Sequence, residues 1–281
     1  MPPRAYPTAR QKRLGAELRK MRERAGLSGA DIARFLGGER ATASHIESGR
    51  YGVSADRVRR LASYCSANDK HLINALAAMA EERGKGWWEE YRGRLLPGFL
   101  DLAELEHHAL YMRAIDMLHV PGLLQTKEYA KELILSSVSE PPEEAEIRVE
   151  HRMRRREIFD RPRPPKFQAL IHEAALRMRY SRPKTMREQL DFLVEASSWP
   201  SVSIQVVPFS RQITGSVHSV LYAGAEIPQL DTVQLDSAFD GGFLDAEPHL
   251  IKYRNLLDSV AEIALDVDES RKFIHRVAQE T

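Results

Sequence analysis

The stretch Leu27-Ser28-Gly29-Ala30-Asp31-Ile32-Ala33-Arg34-Phe35-Leu36-Gly37-Gly38-Glu39-Arg40-Ala41-Thr42-Ala43-Ser44-His45-Ile46-Glu47-Ser48-Gly49-Arg50 decides the fold of the N-terminal part. Ser28 is a helix N-cap, and Ile32, Ala33 and Leu36 make one apolar face of a short helix. Gly37-Gly38 ends that helix in a turn too short for anything but two helices crossing steeply. A second helix is predicted from about Glu39, with Ala43 and Ile46 inward and Arg40, Ala41, Ser44 and His45 outside. Gly49 supplies its stop. A short helix, a glycine turn and a helix with a polar outer face form a helix-turn-helix, whose second helix can lie in a DNA major groove.

Three further helices complete this head. One is predicted over Ala9–Arg24 on Leu14, Leu18 and Met21, ended by Ala25-Gly26. Ser54 caps the next, carrying Val58, Leu61 and Ala62, and the last runs over about 68–82 on Leu72, Leu76 and Met79. Residues 2–7 are Pro-rich and expected to be disordered, with Arg4 available to a DNA backbone. Residues 1–70 hold 15 Lys and Arg against 7 Asp and Glu, a net of +8, and the remaining residues hold 26 against 33, a net of −7. A basic head gains affinity for DNA by releasing phosphate counterions, and an acidic body gains nothing.

From about Lys12 to Tyr64 the head resembles the Xre-type, phage-repressor-like DNA-binding domain, and Ile46-Glu47-Ser48-Gly49-Arg50 matches that family's close of the recognition helix. The resemblance implies that Glu47 pairs with Arg22 of the first helix, a structural role. It departs from the pattern at Gly29, where the family often has a Gln that contacts the backbone.

Each outward position has a bland reading and a sharp one. Arg40 is either a solvated arginine or a bidentate reader of guanine, a contact worth about 1–3 kcal/mol. Ala41 is small enough to touch a thymine methyl. Thr42 and Ser44 can donate to phosphate or base, His45 to a base edge. Ser28 is expected to present helix-start N–H groups to a phosphate, and Arg50 to clamp another. Arg57, Arg59 and Arg60 read as a solvated face.

Arg83-Gly84-Lys85-Gly86 reads as a linker, which divides the chain into a head over 1–82 and a body over 87–281. In the body, helices are predicted over 100–109, 126–135, 141–156, 185–197, 246–264 and 268–279, the last capped by Asp268. Strands are predicted over 110–120, 167–171, 202–207, 216–221 and 232–235. The fold class is therefore mainly α, a five-helix head followed by an α+β C-terminal domain.

The phrase Val120-Pro121-Gly122-Leu123-Leu124-Gln125-Thr126-Lys127-Glu128-Tyr129-Ala130 is distinctive. With the basic helix around 153–158, Gln205-Val206-Val207-Pro208-Phe209 and the closing 253–270 pattern, it resembles the body of WhiJ-like actinobacterial regulators, also described as antitoxin-like. The resemblance covers nearly the whole chain. It implies transcriptional regulation, with a small protein from a neighbouring gene as a partner. Gln125, Thr126 and Tyr129 are candidates for the rim of a partner or ligand pocket, and the alternative is that the phrase is a structural corner.

The basic run His151-Arg152-Met153-Arg154-Arg155-Arg156 reads by default as a solvated face, with an acidic partner as the other reading. Adjacent His107 and His108 are expected to point to different faces, which disfavours joint metal ligation. His172-Glu173 is the one acid–base pair in reach of a catalytic reading, and no nucleophile, phosphate loop or metal spacing accompanies it. No enzyme activity, metal or cofactor is expected.

Hydrophobic content of 43% without a long apolar run argues against a membrane span. The single cysteine, Cys65, follows Leu61, Ala62 and Tyr64, reads as a core residue and suits a reducing cytoplasm. The expectation is a cytoplasmic regulator that binds double-stranded DNA as a homodimer and senses a ligand or protein through its body. The alternatives are an antitoxin-like protein that sequesters a small partner and autoregulates, and an enzyme using His172 and Glu173.

Overall fold

A computed structural model describes residues 6–82, 86–136, 142–213, 217–236 and 242–281, with Arg40 and Pro142 described by their backbone alone. The chain divides into two compact units, Met1–Glu89 with Glu226–Gln229, and Glu90–Ala225 with Leu230–Thr281. Of the proposed linker 83–86, residues 83–85 lie outside the described residues, as does most of the 2–7 tail.

The first unit is built of α1 (Ala9–Arg24), α2 (Gly29–Phe35), α3 (Arg40–Glu47), α4 (Ala55–Tyr64) and α5 (Lys70–Glu81). Local caps set most of these boundaries. Thr8 and Gln11 form a reciprocal capping box at α1, Ser28 and Asp31 another at α2, and Ser54 and Asp69 cap α4 and α5. Leu18, Met21, Ile32, Ala33, Ala43, Ile46, Val58, Leu61 and Leu76 are buried together with Cys65, whose thiol is pushed up by burial. Phe35 stacks on Tyr64 at 4.2 Å, with the Arg60 guanidinium over its ring.

Two glycines bring α1 against the end of α3. A Cβ on Gly15 would stand 2.6 Å from the carbonyl oxygen of Ile46. One on Gly49 would stand 2.8 Å from the Gln11 backbone, and Gly49 also has φ +74°. Neither position accommodates a side chain.

The second unit is α+β. Its elements are α6 (Pro97–His108), β1 (Tyr111–Asp116), α7 (Lys127–Leu135), α8 (Pro142–Arg156), β2 (Lys166–His172), α9 (Glu173–Arg177), α10 (Pro183–Ala196), β3 (Val202–Val207), β4 (Val220–Gly224), β5 (Thr232–Leu235), β6 (Gly242–Leu244), α11 (Glu247–Ile263) and α12 (Val267–Glu280). The six strands lie in the order β3-β2-β1-β4-β5-β6. The first three in sequence are parallel, joined by the helical crossovers that parallel pairing demands, and β4 to β6 form an antiparallel meander on the other side of β1.

Strand alternation divides the core. Met112, Ala114, Phe167, Ala169, Ile171, Ile204 and Val206 face a cluster with α7, α10 and α12. Ile115, Leu170, Val220, Tyr222 and Val233 face Leu250, Leu257 and Val260 of α11. A sheet covered by helices on both faces explains the continuous apolar runs in its central strands.

Several expectations need correction. The strand expected over 110–120 stops at Asp116, and the one expected over 216–221 is displaced to Val220–Gly224, because pairing of Ile115 with Val220 and Tyr111 with Gly224 sets the register. The short α9 and β6 carry too few residues for periodicity to reveal them. The cap of α12 is Asp266, whose carboxylate accepts from Glu269 N at 2.7 Å, while Asp268 lies in the first turn. Among the described residues, no helix is long and apolar enough to cross a membrane.

Candidate nucleic-acid interface

Helix α3 presents two chemically distinct sides. Ala43 and Ile46 are buried, at 1% and 4% exposure, and hold the helix in the head's core. Ala41, Ser44, Ser48 and Arg50 are exposed, and Thr42 and His45 are half-buried. The face left outside is thus small and polar, with room for another macromolecule to approach the backbone.

Helix α3 is oriented by an ion pair. Arg22 Nε and Nη2 donate to the two carboxylate oxygens of Glu47 at 2.6 and 3.0 Å, while Arg22 Nη1 donates to Leu27 O at 3.0 Å. The Glu47 carboxylate raises the Arg22 guanidinium above its ordinary value, with burial opposing. The acidic residue of α3 is therefore turned toward α1 and engaged there. This is the arrangement that the family resemblance implied for Glu47 and Arg22.

The individual candidates fall in different places. The Arg40 side chain lies outside the described residues, and its backbone opens the first turn of α3. Ala41 and Ser44 lie on the open face. Thr42 sits beside Gly38, whose added Cβ would meet its hydroxyl at 3.1 Å. The His45 ring packs against Tyr51 at 4.8 Å. Arg50 is exposed just past the glycine stop.

Ser28 differs from its expectation. Its own N–H and hydroxyl both donate to Asp31 Oδ2, at 2.8 and 2.6 Å, and these bonds hold the Asp31 carboxyl below the usual carboxylate range. The start of α2 therefore already holds a carboxylate, which repels the phosphate expected there. The Ser28/Asp31 and Thr8/Gln11 boxes went unread in the sequence, although a Ser or Thr three residues before an acid or amide signals such a box.

In the second unit, the Val120-to-Ala130 phrase forms a braced corner. A short 3-10 turn over Gly122–Leu124 leads into α7, capped by Thr126. The Gln189 amide, fully buried, donates to Leu124 O at 2.8 Å and accepts from Thr126 N at 2.7 Å. Gln125 donates to Val120 O at 2.6 Å. Tyr129 has 0% exposure, and burial pushes its phenol up to about 12. Tyr129 and Thr126 thus belong to the corner itself. Gln125 also lines a cavity of about 370 Å³ beneath the corner, a feature the sequence did not reveal.

The solvated-face reading of the 151–156 run is overturned. His151 and Arg155 are buried at 2% and 7% exposure. Arg155 donates twice to Glu106, at 2.7 and 2.5 Å, and Arg154 donates to Glu90 at 2.6 Å. His151 packs edge-on against Tyr91, and burial, aided by Arg155, Arg152 and Arg154, pushes it down to about 3. The solvated reading assumed free space around the cylinder, whereas α6 and the corner occupy it.

His107 and His108 lie edge-on with ring centroids 4.9 Å apart, rather than on different faces. An Arg161 guanidinium stands 2.5 Å from His107 Nδ1, so a cation occupies that nitrogen. Among the described residues, no group of three metal-ligating side chains comes together. His172 accepts from Ala174 N at 3.2 Å as the cap of α9. Glu173 accepts from Arg177 at 2.7 Å and from Phe209 N at 2.8 Å, so both members of the pair brace the α9 corner.

Comparison with known proteins bears on both units. Residues 13–76 match the family described as Helix-turn-helix domain, so the first unit carries a DNA-binding fold. No curated protein matches the chain, and no solved structure does. Residues 99–276 match the family described as Domain of unknown function (DUF5753). Because that match spans well over half of its length, the chain belongs to the DUF5753 family, with a helix-turn-helix domain ahead of the shared domain.

Proposed function

We propose that this protein is a sequence-specific transcriptional regulator of Xre type, acting in the cytoplasm, that binds double-stranded DNA as a homodimer. The observation that carries the reading is the open polar face of α3, with Ala41 and Ser44 exposed opposite buried Ala43 and Ile46. It belongs to a region with a net of +8. Arg40, Ala41, Ser44 and His45 read bases in this proposal. Thr42 and Arg50 hold the phosphate backbone, and Ser28 shapes the start of α2. Pairing of two heads follows from the few base pairs that one such helix reaches.

The second unit is the regulatory one in this reading, and responds to a ligand or a small protein partner. No reaction is assigned to it, since His172 and Glu173 are both engaged in holding α9 and the Phe209 backbone.

The test begins with selection of a binding sequence from a random duplex pool by the full-length protein. Arg40→Ala is expected to weaken binding to the selected sequence by about 1–3 kcal/mol at matched salt, with selectivity relaxed at one position. An unchanged melting temperature would show that the head remains folded. Equal affinity of variant and wild type for the selected duplex would remove α3 from the reading.

A further inference from the structure

The cavity beneath the corner combines features that a packed core avoids. Its floor is the sheet, with Ala114 and Asp116 of β1 and Leu221 of β4, and its rim includes Pro121, Gly122 and Gln125. Phe99 and Leu102 of α6 and Leu133 and Ile134 of α7 supply apolar walls. Its volume of about 370 Å³ falls in the range of small-molecule sites, roughly 300–1,000 Å³.

Three guanidiniums enter it from one stripe of α8, at Arg148, Arg152 and Arg155. Arg155 is neutralised by Glu106. The Arg148 guanidinium lies over the Phe99 ring at 4.8 Å. Arg152, between them in sequence, donates to the neutral amide oxygen of Gln125 at 2.7 Å and forms no ion pair among the described residues. Burial, reinforced by the charges of Arg155 and Arg148, pushes Arg152 down to about 10, so it remains a cation at neutral pH in an environment that solvates it poorly.

Among the described residues no lining carboxyl forms an ion pair with Arg152. Glu106 is taken by Arg155, and Asp236, exposed at the edge, acts on Arg152 through its charge alone. Asp116 is held well above the usual carboxylate range by burial and then by the charge of Asp236, with the Ser219 hydroxyl opposing. A carboxyl shifted in this direction repels an anion less than an ordinary carboxylate does. A planar guanidinium on a rigid helix suits a carboxylate, which it can hold with two parallel bonds.

We propose that this cavity binds a small organic acid, its carboxylate on Arg152 beside Gln125 and its apolar body against Phe99, Leu102, Leu133 and Ile134. The proposal rests on the reading of the second unit as regulatory, and it names the chemistry that this unit senses. A bare oxyanion would leave the apolar walls unfilled, and an uncharged apolar molecule would leave the cation without an ion-pair partner.

Isothermal titration of the full-length protein with phenylbutyrate, phenylbutanol and inorganic phosphate tests it. Phenylbutyrate is expected to bind about tenfold or more tighter than the alcohol or phosphate, and Arg152→Met to lose about that factor. Equal affinity for acid and alcohol, tighter binding of phosphate, or no heat with phenylbutyrate would each overturn the proposal. So would wild-type affinity in a folded Arg152→Met. Should that variant fail to fold, Leu133→Trp, which fills the cavity and leaves the charges in place, must abolish acid binding; retained binding overturns the proposal. Affinity for the selected duplex, measured on the same preparations, separates the two readings. Acid binding without DNA binding breaks the functional proposal alone, and DNA binding without acid binding breaks the cavity proposal alone.

Discussion

Residues 1–70 and the run His151–Arg156 are both basic in sequence, and the molecule uses the two charges in opposite ways. In the head, Arg34, Arg50, Arg57, Arg59 and Arg60 are exposed, so their charge is available to a polyanion. On α8, Arg155 is buried against Glu106, His151 is buried as a neutral ring, and Arg152 lines a partly open cavity. The same residue types thus supply a long-range field in one place and internal polar structure in the other. The difference teaches that a basic run carries its meaning only with its solvent exposure, because water screens a charge that a packed interior leaves to its neighbours.

The largest effect is expected where a buried charge loses its partner. Glu106→Ala strands Arg155, and should destabilise the second unit by about 3–5 kcal/mol in chemical unfolding. Glu106→Leu combined with Arg155→Met should recover much of that loss. An effect of the Glu106 change as small as that of a surface substitution would erase the contrast between the two basic regions.

A loss of similar rank is expected in the head for a different reason. Gly15→Val forces side-chain atoms against the Ile46 and Glu47 carbonyls of α3, at a cost of about 3 kcal/mol. It should also weaken DNA binding, because α3 is held by that contact. Thermal unfolding together with duplex titration checks both effects, and unaltered stability would show that α1 and α3 do not meet this closely in solution.

Acid should act through His151. The folded state holds its imidazole neutral down to about 3, whereas an unfolded histidine takes a proton near 6.5. Between those values the unfolded state binds the extra proton, so stability is retained above 6.5 and falls as the pH drops toward 3. The contribution amounts to about 2 kcal/mol at pH 5. The difference in pH slope between wild type and His151→Phe isolates it, and identical slopes would mean that the ring is solvated.

The smallest effect on stability belongs to the head's exposed arginines. Arg59→Ala should change unfolding free energy by no more than about 0.5 kcal/mol. If its charge reaches DNA phosphate, the salt dependence of duplex binding should flatten by about one unit of slope. A large loss of stability would mean that this arginine is structural after all.

The five head helices were legible because their limits are set within a few residues. Ser28, Ser54 and Asp69 each accept from an amide three positions ahead, and Gly49 turns the chain with a φ of +74°. Inward Ala43 and Ile46 could be read from spacing alone. Gly15 could not, since its reason is a carbonyl from α3, more than 30 residues along the chain.

In the body, β3 and β5 were readable as β-branched runs with their limits in place. The limits of β4 were not, since they depend on its pairing with β1. The 110–120 segment divides for the same reason, its first part entering the ladder and its last part turning into the corner. Gln125, in the distinctive Val120-to-Ala130 phrase, lines the cavity. Tyr129 of the same phrase lies in the core.

By itself, then, the sequence determined what short-range bonding and side-chain periodicity control: the caps, the glycine stops, the helix-turn-helix and the α+β class. The tertiary structure alone decided which arginines keep water and which meet Glu106 or line the cavity. Residues 106 and 155 lie far apart in the chain, and the cost of burying a charge depends on whatever folding brings beside it.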